Sequence, residues 1–95
     1  MRSDGFTCKI GGIMWRVKFV KSSEISRTAW GTCDHPPGRR PTICIRASMT
    51  PAQRIDTIIH ETLHAALPLL DEAAVRSTAT DIARVLLKSG YKHAE

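Results

Sequence analysis

Aromatic side chains are few in this 95-residue chain: two Trp, two Phe and one Tyr. A core built here must be closed mainly by aliphatic residues, with Trp15 and Trp30 read as core or strand-face aromatics that add the buried area a small domain lacks. Cysteine is scarce too, and its count of three is odd. Secreted mini-domains pair their cysteines, so reduced thiols and a cytoplasmic location are expected. No apolar run approaches the ~20 residues that span a bilayer, and the opening stretch lacks a signal-peptide apolar region, so no membrane partner is expected. No repeat, low-complexity tract or linker divides the chain, which predicts a single domain over residues 1–95. The net charge of +5 favours loose association with anionic surfaces such as nucleic acid, but the basic residues are scattered and only Arg39 and Arg40 are adjacent. A solvated basic surface is the simpler reading.

What is present is periodicity. Trp15, Val17 and Phe19 alternate with charged residues across residues 13–20, the pattern of a half-buried strand. Residues 21–27 read as a polar connection with room for a short helical turn. Residues 28–33 and 41–47 flank a Pro36-Pro37-Gly38 reversal and predict an antiparallel hairpin whose second arm turns Ile43 and Ile45 to one side and Cys44 and Arg46 to the other. Thr50, Pro51 and Gln53 then supply a hydroxyl N-cap, a proline at the first helical position and a capping-box amide, so a helix is predicted over residues 51–67. Its core stripe is Ile55, Ile58, Ile59, Leu63, Ala66 and Leu67, and Pro68 stops it. A second helix starts at an Asp71 cap, carries Val75, Ala79, Ile82, Ala83 and Leu86 inward, and ends at Gly90.

The first helix contains His60-Glu61-Thr62-Leu63-His64. Residues four apart on a helix lie one turn up and about 40° round, so both imidazoles can reach one ion at ~2.0 to 2.1 Å. Glu61 lies about 100° round from His60, which predicts a carboxylate leaning into an open cleft beside the ion. There it can act as general base on a water whose pKa a metal lowers towards ~7, and the cation beside it favours its ionised form. A catalytic zinc commonly takes three protein ligands plus water. Glu72 is the first choice for the third, because it lies on the inward line of the second helix where a bare carboxylate needs a partner. Asp71 is the alternative, set against its use as a helix cap. Asp81 reads as solvated. Zinc is the expected metal, although two histidines and one carboxylate also suit iron and other divalent ions.

Weaker candidates surround these. Asp56, one turn before His60, is either a partner for that ring's outer nitrogen or a solvated carboxylate. Cys33, His35 and Cys44 lack recognised ligand spacing, and the cysteines read as small apolar residues. Tyr91 reads as an edge aromatic ahead of an oxyanion stabiliser, and His93 as part of a frayed tail. Trp30 and an open sheet edge can also serve an extended peptide.

The run Thr42-Ile43-Cys44-Ile45 followed by the capped helix with Thr57-Ile58-Ile59-His60-Glu61-Thr62-Leu63-His64-Ala65 resembles the minimal zincin domains of bacteria and phages, relatives of the ImmA/IrrE-type and SprT-like metallopeptidases, over roughly residues 30–90. The resemblance implies His60 and His64 as zinc ligands, Glu61 as the catalytic residue and Glu72 as third ligand by position. It also implies a peptide or protein substrate, and the host cytoplasm if the chain is phage-encoded. The expectation is thus an α+β domain with a small antiparallel sheet of two or three strands packed on two helices, hydrolysing peptide bonds. A zinc-binding protein that acts through partners with little turnover is the chief alternative, and a basic nucleic-acid-binding module the second.

Overall fold

The computed structural model describes residues 5–91. The chain enters as a hairpin of β1 (Gly5–Ile10) and β2 (Ile13–Val20), paired antiparallel from Gly5 opposite Lys18 to Ile10 opposite Ile13. Gly11 and Gly12 form the two-residue loop with φ of 57° and 83°, the left-handed pair that matches the twist of flanking strands and that side chains resist. β1 is an addition to the expected strands. Its Phe6, Thr7, Cys8 and Lys9 are all exposed, so it carries no buried alternation for a sequence pattern to reveal.

After a single 3-10 turn at Ser22–Glu24, the predicted hairpin forms as β3 (Gly31–Cys33) against β4 (Thr42–Arg46), antiparallel from Gly31 opposite Ile45 to Cys33 opposite Ile43. The sheet is nevertheless mixed, not antiparallel, and has four strands in the order β1-β2-β4-β3. β4 runs parallel to β2, from Arg16 opposite Thr42 to Val20 opposite Arg46. Residues 21–41 make the long crossover that parallel pairing needs, and β3 lies within it. A non-local pairing of this kind leaves no mark on local periodicity.

One face of the sheet is the core. Trp15 and Val17 of β2 lie beside Ile43 and Ile45 of β4, all four buried, with Met49, Ile58 and Ala65 packed over them. Those last two belong to α1 (Pro51–Ala66), which starts as predicted: Gln53 N–H donates to Thr50 Oγ1 at 3.2 Å and Thr50 N–H to Gln53 Oε1 at 3.1 Å. Leu67 is the C-cap and is half exposed, so the buried stripe is shifted from the predicted one. The fully buried positions are Ile55, Thr57 and Glu61, because the sheet covers a flank of α1 that also carries polar residues.

α2 (Glu72–Lys88) begins at the Asp71 cap, whose Oδ1 accepts from Ala74 N–H at 2.8 Å. It buries Val75, Ala79 and Ala83 and leaves Ile82 at the surface. α2 lies chiefly against α1, so the two helices stack on the sheet in sequence rather than side by side. Among the described residues no helix is long and apolar enough to cross a membrane.

Candidate metal centre

His60 and His64 stand on consecutive turns of α1 and their Nε2 atoms approach to 3.2 Å. Glu72, in the first turn of α2, closes the triangle with Oε2 at 3.1 Å from His60 Nε2 and Oε1 at 3.0 Å from His64 Nε2. The two Glu72 contacts end on different carboxylate oxygens, and with one atom from each residue the three lie within 4.8 Å of one another, a span that one ion with bonds of ~2.1 Å can bridge. The chemistry of the donors agrees. Protons on the two Nε2 atoms could serve the two carboxylate contacts, but they would then face each other across the 3.2 Å Nε2–Nε2 approach, whereas a cation accepts from both nitrogens and the carboxylate together. Among the described residues these three form the group able to hold a metal ion.

The backbone explains why they meet. The Thr50 capping box sets the phase of α1, and the Asp71 cap sets that of α2, so Glu72 emerges at the helix start facing His60 and His64. Asp71 commits its carboxylate to Ala74 N–H, which leaves Glu72 as the one of the pair that meets the histidines. Arg76, one turn along α2, reaches Glu72 Oε2 at 3.4 Å, the same oxygen that faces His60.

Glu61 borders the cavity beside His60, on the cleft side expected, but lies deeper than an open position: it is 7% exposed, pressed beneath β3 where Gly31 passes over it. Burial, and after it the charge of Glu72, pushes its carboxyl up to about 7, so its charge near neutral pH is not secured by the protein alone. A carboxyl poised there suits proton transfer in both directions. Its neighbour Cys33 is pushed up to about 12 by burial and then by Glu61 and Asp34, and stays a neutral thiol packed against the core.

A cavity of about 380 Å³ opens beside His60 and Glu61. Its walls come from residues 28–31, the Asp56–Thr57 turn of α1, and Arg76 and Thr80 of α2. Trp30, half exposed, forms part of that wall. Asp56 is half-buried on the cavity wall, and its Oδ2 accepts from Thr80 Oγ1 at 3.2 Å, which joins the two helices.

Two residues without a sequence signal shape the surroundings. Arg46 of β4 fixes the loop that leads into β3, with Nη2 donating to Ser26 O and Ala29 O at 2.7 Å each and Nε to Ala29 O at 3.1 Å. His35 follows β3 and sets its ring edge-on to that of His64, with centroids 6.1 Å apart and planes at 87°. Its Cys-x-His context pointed at most to a separate metal site with Cys33 and Cys44, which the arrangement does not form.

The remaining candidates lie elsewhere. Asp81 is exposed and paired with Arg84 at 3.0 Å, as a solvated residue would be. Tyr91 lies past the far end of α2, about 25 Å along the axis from Glu72 at 1.5 Å per residue. It does not reach the centre. His93 lies outside the described residues. Comparison of the chain with protein-family models, curated proteins and solved structures finds no match.

Proposed function

We propose that this chain is a zinc-dependent peptidase of zincin-like type, with His60, His64 and Glu72 as the metal ligands and Glu61 as the general base. The observation that carries the reading is the convergence of three ligand atoms within 4.8 Å of one another, beside a buried carboxyl and an adjoining cavity. A structural metal site needs only the first of these. A proton-handling carboxyl at the rim and a space for a substrate side chain are what hydrolysis adds.

Bound zinc would supply Lewis-acid polarisation of the scissile carbonyl and a lowered pKa for the attacking water. Glu61 accepts the proton that leaves this water as its oxygen bonds to the carbonyl carbon. It returns that proton to the amine nitrogen as the carbon–nitrogen bond breaks. Its burial beneath Gly31 keeps bulk water from competing for the proton and raises the affinity for it. The cavity walled by Trp30, Arg76 and Thr80 receives the side chain next to the scissile bond, and the outer edge of β3 is open to an extended peptide backbone.

Glu61→Gln tests the assignment. Measured by metal analysis and by cleavage of an unfolded protein such as casein, the variant is expected to retain one zinc per chain and lose cleavage by a factor of 10² or more. A wild-type protein that holds zinc without cleaving any peptide in a diverse library would instead favour the partner-binding alternative.

A further inference from the structure

Once the ligands and the base are assigned, His35 is left over. It is held where it is by its neighbour: Asp34 Oδ2 accepts from Thr42 N–H at 3.0 Å, and Asp34 N–H donates to Thr42 O at 3.2 Å. These two bonds clamp the strand end one residue before His35 and aim the loop at α1. The ring then meets His64 edge-on, while the ring pair His60 and His64, both converging on the ion position, is closer at 4.9 Å between centroids. His35 contributes no atom to the group of ligand atoms lying within 4.8 Å of one another. It stands one layer outside the ligands, on the His64 side, whereas Glu61 and the cavity border the His60 side. A group at that remove is too far out for the ion and well placed for what the ion holds.

We infer that His35 is a further catalytic residue of this site, whose ring N–H donates a hydrogen bond to the oxyanion that develops on the substrate carbonyl oxygen. This rests on the peptidase reading above. A neutral imidazole always carries one N–H, so the donation does not require His35 to be charged. No bond to His35 forms or breaks; the hydrogen bond is stronger to the tetrahedral oxyanion than to the planar carbonyl, which is the condition for a rate effect. The β3–β4 loop thus brings the His35 ring, with its N–H, to the His64 side of the proposed ligand set.

The test compares wild type, His35→Ala and His35→Gln, each loaded with zinc. A phosphinic dialanine pseudopeptide, a stable anion of tetrahedral shape, is titrated calorimetrically, and zinc affinity is measured separately by competition with a chromophoric chelator. Expected are a loss of 10-fold or more in phosphinate affinity for the alanine variant, partial recovery with glutamine, which keeps an N–H donor, and zinc affinity within 2-fold of wild type throughout. On a cleaved peptide the alanine variant should lose about 10² in kcat with KM little changed. Unchanged phosphinate affinity in His35→Ala overturns the inference while leaving the peptidase reading in place. A parallel loss of zinc affinity of 10-fold or more overturns it by making His35 a ligand. Wild-type protein that takes up no zinc overturns the peptidase reading and this inference with it.

Discussion

A Cβ built on Gly31 would meet Thr57 Cγ2 at 2.8 Å, Glu61 Cγ at 2.9 Å and the Cys44 carbonyl oxygen at 3.1 Å. The glycine is thus what lets β3 pass directly over Glu61, the proposed general base. Gly31→Ala should push Glu61 from its place and lower kcat 10-fold or more. It touches none of the three ligands, so zinc affinity should hold, and the chelator competition that reads it separates the two effects. Glu61 also makes stability depend on pH in the metal-free protein. Its folded pKa is raised from 4.5 to about 7, so the folded chain holds this proton more tightly than the unfolded chain does. The associated stability is full below about pH 4.5, falls across the window up to about 7, and is gone above it. The loss should be on the order of 2 kcal/mol, at ~1.4 kcal/mol per unit with a discount for solvent. Urea melts at pH 5 and pH 8 should show this decline in wild type and its absence in Glu61→Gln, and bound zinc should shrink it by offsetting the charge of Glu72.

α1 carries two of the three proposed ligands, so its first turn bears on the site. Thr50→Ala removes one half of the capping box and should cost about 1 kcal/mol, read as a lower urea midpoint with an unchanged slope. These helix starts were legible in sequence, because Thr50, Pro51, Gln53 and Asp71 act on backbone groups three residues away and need no tertiary partner. The same holds for β2, whose Trp15 and Val17 alternate with exposed Arg16 and Lys18, and for the hairpin around Pro36 and Pro37. That His60 and His64 would face one point was legible through the helical repeat, and Glu72 meets them on the line it shares with Val75 and Ala79, although its side chain is half exposed rather than buried as that line suggested. What lay beyond the sequence was non-local. Parallel pairing of β2 with β4 depends on where a crossover lands, and the burial of Glu61 depends on which flank of α1 the sheet covers. A helical projection orders residues around an axis without saying what stands opposite. β1 did leave one trace, the Gly11-Gly12 dipeptide that suits a two-residue hairpin loop.

In the whole molecule the proposed ligand set joins parts of different standing. His60 and His64 need only α1 to be helical, whereas Glu72 reaches them only while α2 lies against α1. Zinc should therefore raise thermal stability, by about 2.7 kcal/mol at a free concentration 100 times the Kd. Melting curves with zinc and with EDTA should differ by that amount in wild type and coincide in a His60→Ala, His64→Ala double variant. The outer face of α2, with Ile82 and Val85 at the surface, contributes little to holding it in place, so its contact with α1 depends on the inner residues Val75, Ala79 and Ala83 together with Glu72 and the Thr80–Asp56 hydrogen bond. A chain in which α2 has swung off keeps two imidazoles and loses its carboxylate, and two-point chelation releases an ion far more readily than three. Zinc freed into a colorimetric indicator would thus serve as a clock for the detachment of this one helix, timed without any probe attached to the protein.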